Sequence, residues 1–191
     1  FSCTIPPEIA REIAYNSSIP NFCAKSKRHH AIERMISMKP ASGLPHQTIE
    51  TDFCVIGGGI SGLCAAIAAA RHGVRTVLMH ERPVLGGNAS SEIRMWMCGA
   101  FGENNRETGI IEEIELENLY RNPTKNHYIF DLILYDFARR EPNLTLLLNC
   151  TCLDADTETG TYVHGRTVRI RRVTGYQLTT QTFWDVSAKF F

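Results

Sequence analysis

The chain has 191 residues, a length typical of one domain or of one domain with an appendage. Its 20 basic and 20 acidic residues balance, so the charge gives no reason to expect a nucleic-acid partner. The sequence has no apolar run near the roughly 20 residues that a membrane helix needs, and its seven cysteines are scattered without a CxxC pair. This composition disfavours a membrane protein, a disulfide scaffold and a metal site, and it favours a reducing, cytoplasmic compartment.

The first 49 residues differ in composition from the rest. They hold five of the eight prolines, which interrupt regular structure repeatedly. We therefore expect residues 1–49 to form a poorly ordered or peripheral arm and residues 50–191 to form the folded domain. Because the chain begins with Phe and ends within a strand-like pattern, we expect a fragment whose fold lacks its C-terminal part.

Regular patterns begin near residue 50. The apolar, β-prone residues 52–56 predict a buried strand that leads directly into a group of glycines. Small residues over 60–73 predict a helix that ends at a glycine, and residues 74–80 predict a second strand. Strand, helix and strand in this order are typical of a parallel βαβ unit.

The second half of the chain continues the same alternation. Residues 108–122 and 127–141 predict two helices, and residues 144–149 predict a third buried strand. From residue 161 to the end, β-prone residues alternate between glycines, as in an antiparallel β-meander. The whole pattern predicts an α/β, Rossmann-like fold with a parallel sheet and a terminal meander.

Three glycines form the pattern G-x-G-x-x-G between the first strand and the first helix, namely Gly57, Gly59 and Gly62. The first permits a tight turn, the second permits close approach of a pyrophosphate, and the third permits close packing of helix and strand. Ser61 lies at the helix N-terminus, where free N–H groups attract phosphate. Glu81 follows the second strand, at the spacing of a carboxylate that accepts ribose hydroxyls. These residues predict a dinucleotide site.

A second glycine pair, Gly86 and Gly87, follows Glu81 in the pattern E-x-x-x-x-G-G. Such a pair allows another loop to approach the pyrophosphate and the ribityl chain. NAD-binding domains usually lack it, so the combination favours FAD over NAD while leaving NAD open.

Four stretches carry a family resemblance: "VIGGGISGLCAAIAAARHG", "ERPVLGGNASSEIRMWMCGA", "NNRETGIIEEI" and "EPNLTLLLNC". Together they resemble the FAD-dependent oxidoreductases of the glycine-rich class with two dinucleotide-binding motifs, over about residues 50 to 191. The resemblance implies that this region is an FAD-binding domain, truncated before a turn rich in Gly and Asp that completes the flavin site. It also implies the cofactor contacts Gly57, Gly59, Ser61, Gly62, Glu81, Arg82, Gly86, Gly87, Asn88, Ser91 and the backbone at Cys152.

Other polar and sulfur-containing residues have plainer interpretations. Cys98 resembles a redox thiol in position, but it lacks a nearby partner, which favours a single buried cysteine. His80 is interpreted as an ordinary histidine at the surface or at a strand edge. Arg94 fits two roles equally well, a cation near flavin or substrate and a salt bridge within a loop.

The sequence therefore predicts the FAD-binding part of an oxidoreductase whose flavin accepts hydride from a small-molecule substrate. Two alternatives stay open, an NAD(P)-binding dehydrogenase domain and a non-catalytic dinucleotide-binding fragment. We also expect the last strand to have an unpaired edge and the chain alone to be inactive. Catalytic residues, substrate and oligomeric state have no signal in the sequence.

Overall fold

The computed structural model describes residues 43–100, 102–162 and 165–191. Most of the arm expected over residues 1–49 therefore lies outside the described residues, and the domain boundary at residue 50 stays a prediction. The first strand begins at His46, six residues before the predicted start, because its first half pairs with a distant strand that the local pattern does not reveal.

The described chain alternates strands and helices in the predicted order. None of its helices is both long enough and apolar enough to cross a membrane. The elements are β1 (His46–Ile56), α1 (Ile60–Arg71), β2 (Thr76–Met79), a short 3-10 helix (Gly87–Ala89), α2 (Gly109–Arg121), α3 (His127–Arg139), β3 (Leu144–Leu147), β4 (Cys150–Tyr162), β5 (Gly165–Gln177) and β6 (Thr182–Phe190).

The strands form one mixed sheet in the order β3-β2-β1-β6-β5-β4. The pairs β1–β2, β2–β3 and β1–β6 are parallel, whereas β4–β5 and β5–β6 are antiparallel. The predicted Rossmann-like α/β fold, with a parallel sheet and a terminal meander, is therefore confirmed. The meander starts at Cys150 rather than near residue 161, because polar residues form much of β4 and conceal it in the sequence.

The last strand occupies a different place from the predicted one. It lies inside the sheet, where Val186 is opposite Ile49 of β1 on one side and Val173 of β5 on the other. The expectation of an unpaired edge at this strand is therefore wrong. Its partner β1 lies more than 130 residues earlier in the chain, so no local pattern could have indicated the pairing.

The sheet is buried on two faces. Leu78 of β2 packs in a core with α1, α2 and α3, whereas its neighbour Val77 packs in a second core with residues of β1, β4, β5 and β6. Successive side chains of a strand point to opposite faces, which explains the continuous apolar run in β2. In α3 the buried face is formed by Phe130, Ile133, Leu134 and Phe137, while Leu132 of the same helix is 60% exposed.

The interior position of β6 can be tested with one truncation. We expect Val186→Ala to lower the free energy of unfolding by about 2 kcal/mol, because Val186 is fully buried between β1 and β5. Lys189→Ala on the same strand removes an exposed ion pair with Asp52 and should cost less than about 1 kcal/mol. Urea unfolding followed by circular dichroism measures both. Equal effects of the two substitutions would contradict an interior strand.

Candidate functional site

A glycine turn joins β1 to α1 and is held by the end of β2. The Gly57 N–H donates to the Met79 carbonyl at 2.8 Å. Gly57 has a φ of +105°, a conformation that side chains with a Cβ rarely adopt, so glycine is needed here. The turn ends at Gly59, whose carbonyl accepts the first hydrogen bond of α1, from the Leu63 N–H at 2.8 Å.

The N-terminus of α1 is open on the side of Gly59. A Cβ placed on Gly59 would meet no heavy atom of the described residues within 4 Å. Within the described chain no side chain caps this helix end, and its first turn holds no acidic residue. The first N–H groups of a helix lack partners inside the helix, and its N-terminus carries a partial positive charge. This end of α1 is therefore suited to an anion such as phosphate.

Two further glycines, Gly58 in the turn and Gly62 near the start of α1, are required by packing. A Cβ on Gly62 would lie 2.0 Å from the Gly57 carbonyl oxygen and 3.3 Å from Val55, so glycine allows α1 to approach the turn and β1. A Cβ on Gly58 would lie 2.7 Å from Leu85 and 2.8 Å from the His80 ring. The spacing motif has no requirement at Gly58, so only the tertiary contacts reveal this role.

The second glycine pair lies directly beside the first turn. Gly86 forms a parallel bridge with Gly59, and its N–H donates to the Gly58 carbonyl at 2.8 Å. Next to this junction is a cavity of about 480 Å³. It is lined by the predicted residues Gly59, Ser61, Gly86, Gly87 and Asn88, together with Ile60, Ala89, Met95, Trp96 and Met97.

One wall of this cavity is apolar, and the sequence motifs did not predict it. The residues Met95, Trp96 and Met97 line this wall. They lie in a loop segment whose other residues are mostly polar, and only those residues were considered for function. Three consecutive large apolar residues in such a loop could have indicated a binding surface. Trp96 lies with its ring 4.2 Å from that of His127 and 5.4 Å from that of Phe130, so α3 supports this wall.

The histidine after β2 is buried, and its interpretation as a surface or edge residue is wrong. His80 is 7% exposed. Its Nδ1 accepts a hydrogen bond from the Gly58 N–H at 2.9 Å, and its Nε2 lies 3.1 Å from the Val84 carbonyl. Since Nδ1 is the acceptor, Nε2 carries the proton and donates to Val84. Burial lowers the pKa of this imidazole, so it stays neutral at neutral pH.

Glu81, the residue predicted to bind the ribose, directly follows His80 and faces solvent. The Glu81 side chain is 60% exposed. Arg82, also predicted as a cofactor contact, lies with its guanidinium 3.2 Å from Glu92 and 3.8 Å from Glu81. The carboxylate of Glu81 is thus accessible to a ligand, while the charge of Arg82 is shared between two acids.

A buried acid of α3 holds the segment that follows the 3-10 helix. Asp131, 7% exposed, accepts a hydrogen bond from the Ser91 N–H at 2.9 Å. Arg94 donates to the Ser91 carbonyl and to the Tyr128 hydroxyl. Arg94 therefore has one partner in its own loop and one on α3, and the N–H and carbonyl of Ser91 are both hydrogen-bonded. Asp131 was not predicted, because an acid within a helix is usually on the solvated face.

The cysteines have contrasting environments. Cys152 packs beside the second core, which contains Cys54 and Cys150, and lies opposite Gly175 in the β4–β5 ladder. Burial raises the pKa of Cys54 to about 12 and that of Cys150 to about 11, which keeps these thiols protonated. Cys98 is exposed, so the expectation of a buried cysteine there is wrong. The described residues contain no group of three or more side chains placed to bind a metal ion.

A known protein family matches most of the described chain, whereas individual relatives match shorter parts of it. Residues 52–189 match a family described as FAD dependent oxidoreductase. Fumarate reductase (cytochrome) of Shewanella frigidimarina is 44% identical over 45 residues, 24% of this chain and 8% of that protein. Mitochondrial dihydrolipoyl dehydrogenase of Canis lupus familiaris is 35% identical over 71 residues, 35% of this chain and 14% of that protein. This chain thus spans a small part of either relative.

One solved structure shares the fold at low sequence identity. Quinol fumarate reductase of E. coli superposes with a TM-score of 0.53 and 15% identity, covering 75% of this chain and 32% of that chain. The likeness concerns the arrangement of strands and helices.

Gly62, required by packing, and Gly59, which faces open space, should differ in their effects on stability when they are replaced. We expect Gly62→Ala to lower the free energy of unfolding by about 1–3 kcal/mol, because the added Cβ would overlap the Gly57 carbonyl. Gly59→Ala should cost less than about 1 kcal/mol, since the space is open and the change only weakens an N-cap. Thermal unfolding of the two variants without ligand measures the difference. A larger loss in Gly59→Ala would contradict the open geometry.

Proposed function

This chain belongs to the FAD dependent oxidoreductase family, and we propose that its two adjoining glycine turns bind the pyrophosphate of FAD. One observation carries the proposal, namely the open space beside Gly59 at the uncapped N-terminus of α1. The phosphates would accept hydrogen bonds from the free N–H groups of the first turn, near Ile60 and Ser61. The cavity of about 480 Å³ at the same place supports this assignment.

The other predicted residues would contact the remaining parts of FAD if the cofactor binds in an extended form. The exposed carboxylate of Glu81 would accept hydrogen bonds from the ribose of the adenosine. Gly87 and Asn88 would line the path toward the flavin, with Trp96 and its neighbours as an apolar wall. The backbone at Cys152 would face the adenine. The residues that are present fit FAD, since the cavity offers both a place for phosphate and an apolar surface.

The proposed reaction is an oxidation of a small-molecule substrate, for which bound FAD supplies the hydride acceptor. The described residues contribute binding and orientation, since they hold the pyrophosphate and shape the apolar wall. The family match favours FAD over a nicotinamide cofactor. We also place the protein in the cytoplasm, because the described cysteines are free thiols.

Replacing Gly59 tests the phosphate assignment. We expect Gly59→Val to weaken FAD affinity at least about tenfold, because the new side chain fills the space proposed for phosphate. The fold should persist, since Gly59 has an ordinary φ of −63°. Isothermal titration of the unmutated chain and the variant with FAD, and separately with NAD, measures the affinities.

A matched variant controls for the change in side-chain bulk. Ala65→Val adds a branched side chain to an exposed position of the same helix, and FAD affinity should stay unchanged. Undiminished FAD binding by Gly59→Val would show that the pyrophosphate does not bind at this turn. Tighter binding of NAD than of FAD by the unmutated chain would favour the dehydrogenase alternative.

Glu81 offers an independent test of the ribose contact. We expect Glu81→Ala to weaken FAD binding by about 1–3 kcal/mol, the range for a hydrogen bond to a charged group. The side chain is largely exposed, so the fold should be unaffected. Glu103→Ala, at an exposed turn position before α2, serves as the control for loss of one negative charge. Equal affinities of Glu81→Ala and the parent would place the ribose elsewhere.

A further inference from the structure

We propose that neutral His80 locks the glycine turn in the geometry that binds phosphate and that protonation of His80 opens this lock, so that FAD retention falls in acid. The inference rests on the proposed FAD site and concerns its regulation. His80 would act as a positioning residue, since its hydrogen bonds join the two loops that form the site.

The imidazole lies between the two loops. On one side Nδ1 accepts from the Gly58 N–H at 2.9 Å, and on the other Nε2 donates to the Val84 carbonyl at 3.1 Å. The backbone of His80 is also fixed, because its N–H donates to Leu147 and its carbonyl accepts from Cys150. The ring therefore connects the end of β2 to the turn with little freedom to move.

The contact with the turn is close enough to transmit a displacement. The His80 ring packs so closely on the main chain of Gly58 that a Cβ on Gly58 would lie only 2.8–2.9 Å from the ring. The Gly58 carbonyl in turn accepts the Gly86 N–H at 2.8 Å. A shift of Gly58 thus reaches the second glycine turn, and both faces of the proposed phosphate site change together.

Protonation reverses the polarity of one contact. A charged imidazole carries N–H groups on both nitrogens. Its Nδ1–H would then face the Gly58 N–H, two donors at hydrogen-bond distance with no acceptor between them. The bond to Gly58 must break, while the bond from Nε2 to Val84 persists. The charged ring therefore releases the turn without detaching from the loop after β2.

The charges near His80 set the direction of its titration. Burial lowers its pKa; the Val84 carbonyl, Glu81 and Glu92 oppose this shift, and Arg82 adds to it. The neighbouring Cys150 thiol stays neutral, because burial raises its pKa to about 11. Since the folded pKa lies below the unfolded value, the neutral ring favours folding above the unfolded pKa. This contribution is lost as pH falls toward the folded pKa, where the lock opens.

The first experiment compares the pH profile of FAD affinity in two forms of the full chain. Between about pH 8 and about pH 5, we expect the dissociation constant of the unmutated chain to be flat and then to rise, approaching about tenfold per pH unit for one proton. In His80→Asn, the amide oxygen can accept from Gly58 without titrating, so the rise should disappear. His72→Asn removes an exposed histidine at the C-terminal end of α1, serves as the matched control and should keep the rise.

A second measurement needs neither FAD nor a variant. Nitrogen-15 NMR of the unmutated chain reports the protonated ring nitrogen of His80, and hydrogen exchange reports protection of the Gly58 amide. We expect the Nε2–H form at neutral pH, and loss of Gly58 protection as the ring becomes charged. Protection of Gly58 that persists on the charged ring would overturn the inference.

The two measurements separate this inference from the proposed function. FAD affinity that stays flat while His80 titrates, or a rise that persists in His80→Asn, would overturn the inference and leave the FAD site intact. Absence of FAD binding at every pH would overturn the proposed function. If Gly58 loses its protection from exchange as the His80 ring becomes protonated, the hydrogen-bond lock itself is supported, whether or not FAD binds.

Discussion

The connection between the glycine turn and the end of β2 is the constraint on which the candidate site depends. The turn must leave β1, reverse into α1 and keep its outer face free of side chains. Three hydrogen bonds hold it in that shape, from Gly57 to Met79, from Gly58 to His80 and from Gly86 to Gly58. Each of these partners lies in β2 or in the loop after it. Neither glycine motif could therefore have its observed geometry without the other.

Among the described residues, this arrangement leaves the N-terminus of α1 without a capping side chain. In the ligand-free chain, N–H groups without a cap and the positive end of the helix dipole make this helix end less stable. An anion bound there would be held by these groups. It would also stabilise the folded chain, because it binds only the folded form. The absence of an acid from the first turn of α1 fits this interpretation. The site thus combines a packed, rigid side, at Gly58 and Gly62, with an open side at Gly59.

The two cores explain how the turn is kept in place. Leu63, Ala66 and Ile67 fix α1 on one face of the sheet, beside Leu78 of β2. On the opposite face, Val173 and Val186 of the meander pack with residues of β1 and β2. The strands that lead into the turn are therefore buried on both faces, which suits a parallel sheet. The family match covers both cores, since it extends from residue 52 to residue 189.

The sequence by itself determined the features that depend on neighbouring residues. The order of strand, glycines, helix and second strand is local, and the spacing of Gly57, Gly59 and Gly62 is sufficient to identify the turn. The same holds for α2, α3 and β3, whose observed bounds differ from the predicted ones by no more than two residues. In these segments the local residue types favour the same helix or strand that the complete fold contains, so local patterns were sufficient to predict the elements.

The tertiary structure decided the features that join distant parts of the chain. The pairing of β6 with β1, the hydrogen bond of Asp131 to Ser91 and the position of Trp96 on the cavity wall all depend on segments far apart in sequence. His80 is the clearest case, because its sequence position indicates a strand end, whereas its burial follows from contact with Gly58, 22 residues earlier. A pattern in one segment cannot specify such contacts, since they depend on which surfaces the completed sheet brings together.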